Sequence, residues 1–193
     1  MAIRTFAQES TDDTARSRRA SRIRILSRAM AILCLTAVLA LVATMSFYWI
    51  ATPSPAIFAQ AGLAQIASYE IASGTRALGF LVSMVPLGVL VWGLIKAHRC
   101  FEALARGHFF SAQAIGGLHA FALGVLVSSL LKPFAGAALF LLLSWSTPSG
   151  VTALAFSVGS DTVLALIFAG TVAVIAWIMT EAIAIADENA QFV

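Results

Sequence analysis

The sequence predicts an all-α fold: an integral membrane four-helix bundle, N-in/C-in, with an outer interfacial helix between spans one and two. Three observations carry this. Four apolar runs, at residues 29–51, 77–95, 115–145 and 162–186, are each long enough to cross a hydrocarbon core about 30 Å thick. Hydrophobic residues make up 60% of the chain and charged ones 11%, with a mean hydropathy of +0.93, whereas ordinary soluble domains carry roughly 25% charged residues. Finally, ten of the twelve basic residues fall on one side of the expected membrane: Arg4, Arg16, Arg18, Arg19, Arg22, Arg24 and Arg28 before the first run, and Lys96, Arg99 and Arg106 between the second and third. Hydrocarbon offers no partner to an open backbone, so runs without barrel-like alternation must be helices. The excess of Lys and Arg then places both termini and the second loop in the cytoplasm.

Residues 1–28 form a basic cytoplasmic segment and 29–193 a four-span membrane domain; no stretch outside the runs is long enough to bury a core of its own. The first run stays uncharged from 29 to 51, the length of a permanent anchor rather than a cleavable signal. Its arginines read as an orientation signal lying on the inner leaflet, with no direct nucleic-acid binding expected. Trp49 and Trp145 fall at expected outer ends and Trp92 and Trp177 near inner ones, the depth at which indole rings settle.

Pro53 and Pro55 stop the first span. The weakly polar stretch 57–76 then reads as an interfacial helix, with Ile57, Phe58, Ile66 and Tyr69 on the apolar side, Gln60 and Gln65 toward water, and Glu70 and Arg76 as its only charges. A cap packed over the bundle is the plain role for it, and ligand sensing the alternative.

Residues 96–107 extend the second span as a polar helix. Glu102 lies three residues after Arg99 and four before Arg106, both within helical ion-pair reach. Gly107 is the stop and Ser111 the N-cap of the next helix, so His108, Phe109 and Phe110 form a corner at the inner surface. Such an elbow anchors a helical hairpin and is also a place where a cytoplasmic partner can dock.

The third run would reach about 46 Å as one straight helix against a core of about 30 Å. Lys132-Pro133 supplies the expected kink, since proline removes a backbone donor and disfavours helical geometry just before it. Lys132 is the sharpest functional candidate, because an intramembrane charge is costly and tends to face a cavity or a partner. The competing reading has it snorkelling to the surface, with Asp161 or Glu70 as neighbours. Small residues, Ala40 with Thr44 and Ser128 with Ser129, are the expected packing points between helices.

No nucleophile–base set, phosphate loop or carboxylate pair stands out, so the sequence argues for no enzyme. Cys34 sits inside a span and Cys100 at the expected inner surface, which speaks against a disulfide between them and makes Cys100 the natural reporter of sidedness. His98, His108 and His119 cluster toward the inner face, but only His119 enters a span, so neither a metal nor a cofactor is expected.

The last stretch, 177–193, with Glu181, Glu188, Asn189 and Val193, together with Arg106, Gly107 and Phe110 of the elbow, resembles the pattern of the bacterial domain-of-unknown-function family 2975. The resemblance covers roughly the last half of the chain and rests on short motifs. It implies a four-span protein of the bacterial inner membrane, with no assigned activity and, for some members, a cytoplasmic transcriptional regulator as partner.

Two functions follow as expectations. One is a non-enzymatic membrane binding module, a sensor/modulator or accessory subunit, that lies in the lipid bilayer and engages a cytoplasmic or membrane protein, or a second copy of itself. Its partner-binding residues are Arg99, Glu102, Arg106, Phe110, Glu181, Asp187, Glu188 and Asn189. The alternative is a small transporter or channel with a polar path near Lys132, His119 and Glu181.

Overall fold

In the computed structural model the described residues are 2–61, 63, 70–107, 112–145 and 160–190, and among them every regular element is a helix. The order is α1 (Ala2–Ala51), α2 (Ser54–Gln60), α3 (Ser73–Ala105), α4 (Ala112–Trp145) and α5 (Ser160–Ala190). Four of them contain segments long and apolar enough to cross a membrane: Ser21–Ala51, Ser73–Ala105, Ile115–Trp145 and Thr162–Ala182. The chain is a multi-pass membrane protein. Large apolar side chains such as Leu39, Phe47, Leu81, Phe134 and Leu164 lie more than half exposed, a severe cost in water and none in lipid.

Helix α1 runs unbroken through 50 residues, about 75 Å, so the basic segment and the first span are one helix. Helix α3 carries the polar extension foreseen from the sequence and ends where expected: Arg106 closes the last turn, and the Gly107 N–H donates to the Leu104 carbonyl at 3.0 Å. Gly107 has φ +92°, a left-handed conformation that side chains with a Cβ disfavour. Phe110, Ser111 and His108 lie outside the described residues.

Packing passes from neighbour to neighbour, α1 on α3, α3 on α4 and α4 on α5. The α3–α4 crossing is a seam of small residues. A Cβ on Gly124 would sit 2.8 Å from the Gly93 Cα, and one on Gly117 would meet the Cys100 Cβ at 2.8 Å. The pairs lie seven residues apart on each helix and run antiparallel, so the two backbones touch over two turns, the way helices associate when lipid removes the hydrophobic drive. On the other side of α4, buried Ile115, Ala122 and Ser129 recur every seven residues, as do Thr162, Ala169 and Ala176 of α5. Phe121 and Phe168 meet edge to face across this second seam, with centroids 6.5 Å apart.

Several expectations are corrected here. Ala40 and Thr44 are exposed rather than packed, while Ser128 and Ser129 are buried on different faces of α4. Trp49 is 5% exposed and belongs to a core cluster, not to a headgroup belt. Cys100 is as buried as Cys34 because Gly117 lets α4 close over it, so it cannot report sidedness. Both thiols are free.

The segment after span one is also shorter in helix than expected. Helix α2 has seven residues, opened by Pro53 and Pro55 and ended by Ala61. Its Ile57 and Phe58 are buried with Trp49, Leu63, Ile71, Phe140 and Leu143, so it is tucked into the bundle as a cap. Ile66, Tyr69 and Gln65 lie outside the described residues. Arg76 belongs instead to the first turn of α3, and there it closes the end of α1. Its guanidinium donates to the carbonyls of Trp49 (3.2 Å), Ile50 (3.3 Å) and Thr52 (3.1 Å) and to the Ser54 hydroxyl (3.4 Å). These carbonyls have no helical partner of their own, and the cation opposes the negative end of the helix dipole.

Candidate functional site

Helices α1 and α4 both rest on α3 and leave a cleft between them, roofed at the Trp49 end by α2. The cleft is a cavity of about 650 Å³, within the roughly 300–1,000 Å³ range of ligand pockets. One face of α1 supplies Leu41, Thr44, Met45, Tyr48 and Trp49, the helical spacing of a single stripe. Helix α3 adds Ser83, Pro86 and Leu87, α2 adds Ile57, Gln60 and Ala61, and α4 contributes a stripe from Ser128 through Lys132 to Leu143.

Local chemistry explains why the helices part here. The Gly93–Gly124 contact holds α3 and α4 together on the elbow side, and the Gly79 face of α3 receives the Trp49 indole on the other: a Cβ on Gly79 would run into the ring. Between them sit Pro86 and Pro133, each inside its helix. Proline cannot donate to the carbonyl four residues back, so those of Val82 and Ser129 lose their helical partners. Ser128 spans the junction, its Oγ donating to the Pro86 carbonyl at 2.8 Å, and Ser83 donates to the Gly79 carbonyl at 2.8 Å. Both hydroxyl hydrogens are thereby occupied.

At the α2 end the Tyr48 hydroxyl donates to Gln60 Oε1 at 2.5 Å, which leaves the Gln60 amide N–H groups as its remaining capacity. Gln60 therefore faces Tyr48 and the cavity, not simply open water. The Trp49 Nε1–H is buried with no hydrogen-bond partner among the described residues, a deficit worth about 1–3 kcal/mol.

Lys132 lines this cavity, thirteen residues before Trp145 and so about 20 Å along α4. His119 and Glu181 do not line it; both are exposed, and His119 is thirteen residues from Lys132, on another face of α4. The three polar residues are not brought together there.

The elbow site is assembled in part. Glu102 pairs with Arg106 at 3.2 Å, not with Arg99, in the favourable i, i+4 order; at 67% and 45% exposure of the two side chains the pair is worth about 0–1 kcal/mol. Arg99 is exposed. Lys96 sits 5.7 Å over the Trp92 ring, and Arg24 of α1 approaches Gly107. His98 Nδ1 lies 3.0 Å from the Ala31 carbonyl, so it ties α3 to α1 rather than facing a ligand. Glu181 and Glu188 are exposed on α5, whose last turn has no basic residue. Asp187 and Asn189 fall in the same final turns; their side chains lie outside the described set.

Sequence reasoning missed the cavity, the Arg76 cap and the glycine seam. The seam had a signal, Gly117 and Gly124 seven apart in an apolar run; the cavity had none, because its walls come from four helices. Compared with protein-family models, curated proteins and solved structures, the chain matches none of them.

Proposed function

We propose that this protein is a non-enzymatic binding module of the bacterial inner membrane, N-in/C-in, that senses or modulates through a partner protein. The observation that supports it most is the cavity: a ligand-sized space among membrane-spanning helices, with a small set of polar groups in an apolar lining. On this reading the cavity is the input. The elbow (Arg99, Glu102, Arg106) and the end of α5 (Glu181, Asp187, Glu188, Asn189) are the output, facing a cytoplasmic or membrane partner. A transcriptional regulator is the kind of partner that the family resemblance implies. Acidic residues at a helix C-terminus oppose the macrodipole by about 0.3–1 kcal/mol each, a cost that a basic partner surface offsets.

The test is native mass spectrometry of the gently solubilised complex, repeated with Glu188→Lys combined with removal of residues 190–193. A stoichiometric partner present for the full chain and lost from the variant supports the reading. A chain that carries no partner, or one whose partner is indifferent to these changes, overturns the assignment of the tail as output.

A further inference from the structure

The hydrogen-bonding inventory of the cavity is one-sided. Trp49 Nε1–H is an orphaned donor in a residue 95% buried. Gln60 has its acceptor taken by Tyr48 and its donors left over. The hydroxyl hydrogens of Ser83 and Ser128 are spent on backbone carbonyls. Lys132 is the only charged residue in the described lining, and none there is acidic. Because Lys132 also makes a contact of its own within the fold, Trp49 and Gln60 are the donors left for an occupant, and Lys132 sets the sign of the field.

We propose that the cavity holds a single-chain amphiphile with an anionic, acceptor-only head, of the long-chain carboxylate type, its head toward Trp49 and Gln60 and its chain among Leu41, Leu87 and Leu139. This deepens the binding-module reading and rests on it. The cavity follows α4 from Ser128 to Leu143, fifteen residues or about 22 Å, so it is long, which suits a chain. The donors lie under α2, whose Ile57 and Phe58 are packed into the core, so the head must pass beneath that cap. A carboxylate is small enough to do so, whereas a glycerophospholipid head is not. An acceptor placed at Trp49 removes the unsatisfied N–H, which water reaches poorly at this depth.

The experiment uses the full chain in phosphatidylcholine nanodiscs with Trp92, Trp145 and Trp177 replaced by Phe, so that Trp49 is the only fluorophore. A terminally brominated undecanoate is titrated against it, with the matching brominated alcohol and brominated phosphatidylglycerol as the other arms. The expected result is saturable quenching by the carboxylate, roughly tenfold tighter than by the alcohol. Lys132→Gln should bring the carboxylate down to the alcohol's affinity, with the unfolding midpoint recorded in parallel. In a second measurement, calorimetry with undecanoate, Trp49→Phe should weaken binding roughly five- to tenfold, since it keeps the ring and removes only the N–H. Equal quenching by alcohol and carboxylate would sink the anionic assignment while leaving the cavity as a binding site. Phosphatidylglycerol matching the carboxylate would overturn the single-chain assignment. Absence of saturable quenching in every arm would take the proposal and the cavity-as-input reading down together.

Discussion

Arg76 reaches back from the first turn of α3 to donate to the Trp49 carbonyl, 3.2 Å away at the end of α1. The same guanidinium collects Ile50 and Thr52, and the same tryptophan's ring occupies the space over Gly79, one turn further along α3. Backbone end and side chain of one helix are thus both fixed by the next.

Arg76 should not tolerate lysine. Guanidinium presents a fork of donors, and an ammonium on a shorter reach cannot satisfy three carbonyls and a hydroxyl at once. Hydrogen bonds to a charged group contribute about 1.5–3 kcal/mol each in favourable settings, so Arg76→Lys should lower the unfolding free energy in mild detergent by about 1–3 kcal/mol. An unchanged midpoint in a denaturant titration would show that water caps α1 equally well.

Gly79→Ala should expel the Trp49 indole. The Cβ would overlap the ring, and overpacking of this kind costs about 1–3 kcal/mol. In a chain carrying Trp49 alone, its emission should red-shift and its quenching by acrylamide should rise as the ring leaves the core.

The α3–α4 seam should be equally intolerant. Gly124→Ala sets a Cβ 2.8 Å from the Gly93 Cα, backbone that cannot swing aside. Gly88 meets nothing within 4 Å, so Gly88→Ala should be neutral or stabilise by up to about 1 kcal/mol through helix propensity. Opposite signs for the two substitutions in parallel thermal melts are the outcome to look for.

Neither native cysteine should label in the folded protein. Both are buried, so thiol reagents should react only after denaturation in dodecyl sulfate. Sidedness is better read from Glu102→Cys, whose parent side chain is 45% exposed. An N-in/C-in chain with this variant should resist an impermeant maleimide in intact spheroplasts and react after permeabilisation; labelling before permeabilisation would reverse the proposed orientation.

What the sequence by itself determined is what depends on composition and local spacing. Four spans, the helical extension after span two, the stop at Gly107 and the Glu102–Arg106 pair each rest on residues within a few turns of one another, where hydropathy, helix periodicity and the tolerance of glycine for positive φ act directly. Lys132 stood out for the same reason, as a charge in an apolar run. Tertiary structure alone decided where these pieces meet. Arg76 reads as a loop charge until α3 starts at Ser73 and brings it to the end of α1. Trp49 reads as a belt residue until Gly79 makes room for it. Cys100 reads as accessible until Gly117 closes over it. The cavity lies where α1 and α4 part over α3, set by the separation of helices that share no local sequence, and it is there that Trp49, Gln60 and Lys132, on three different elements, become one site.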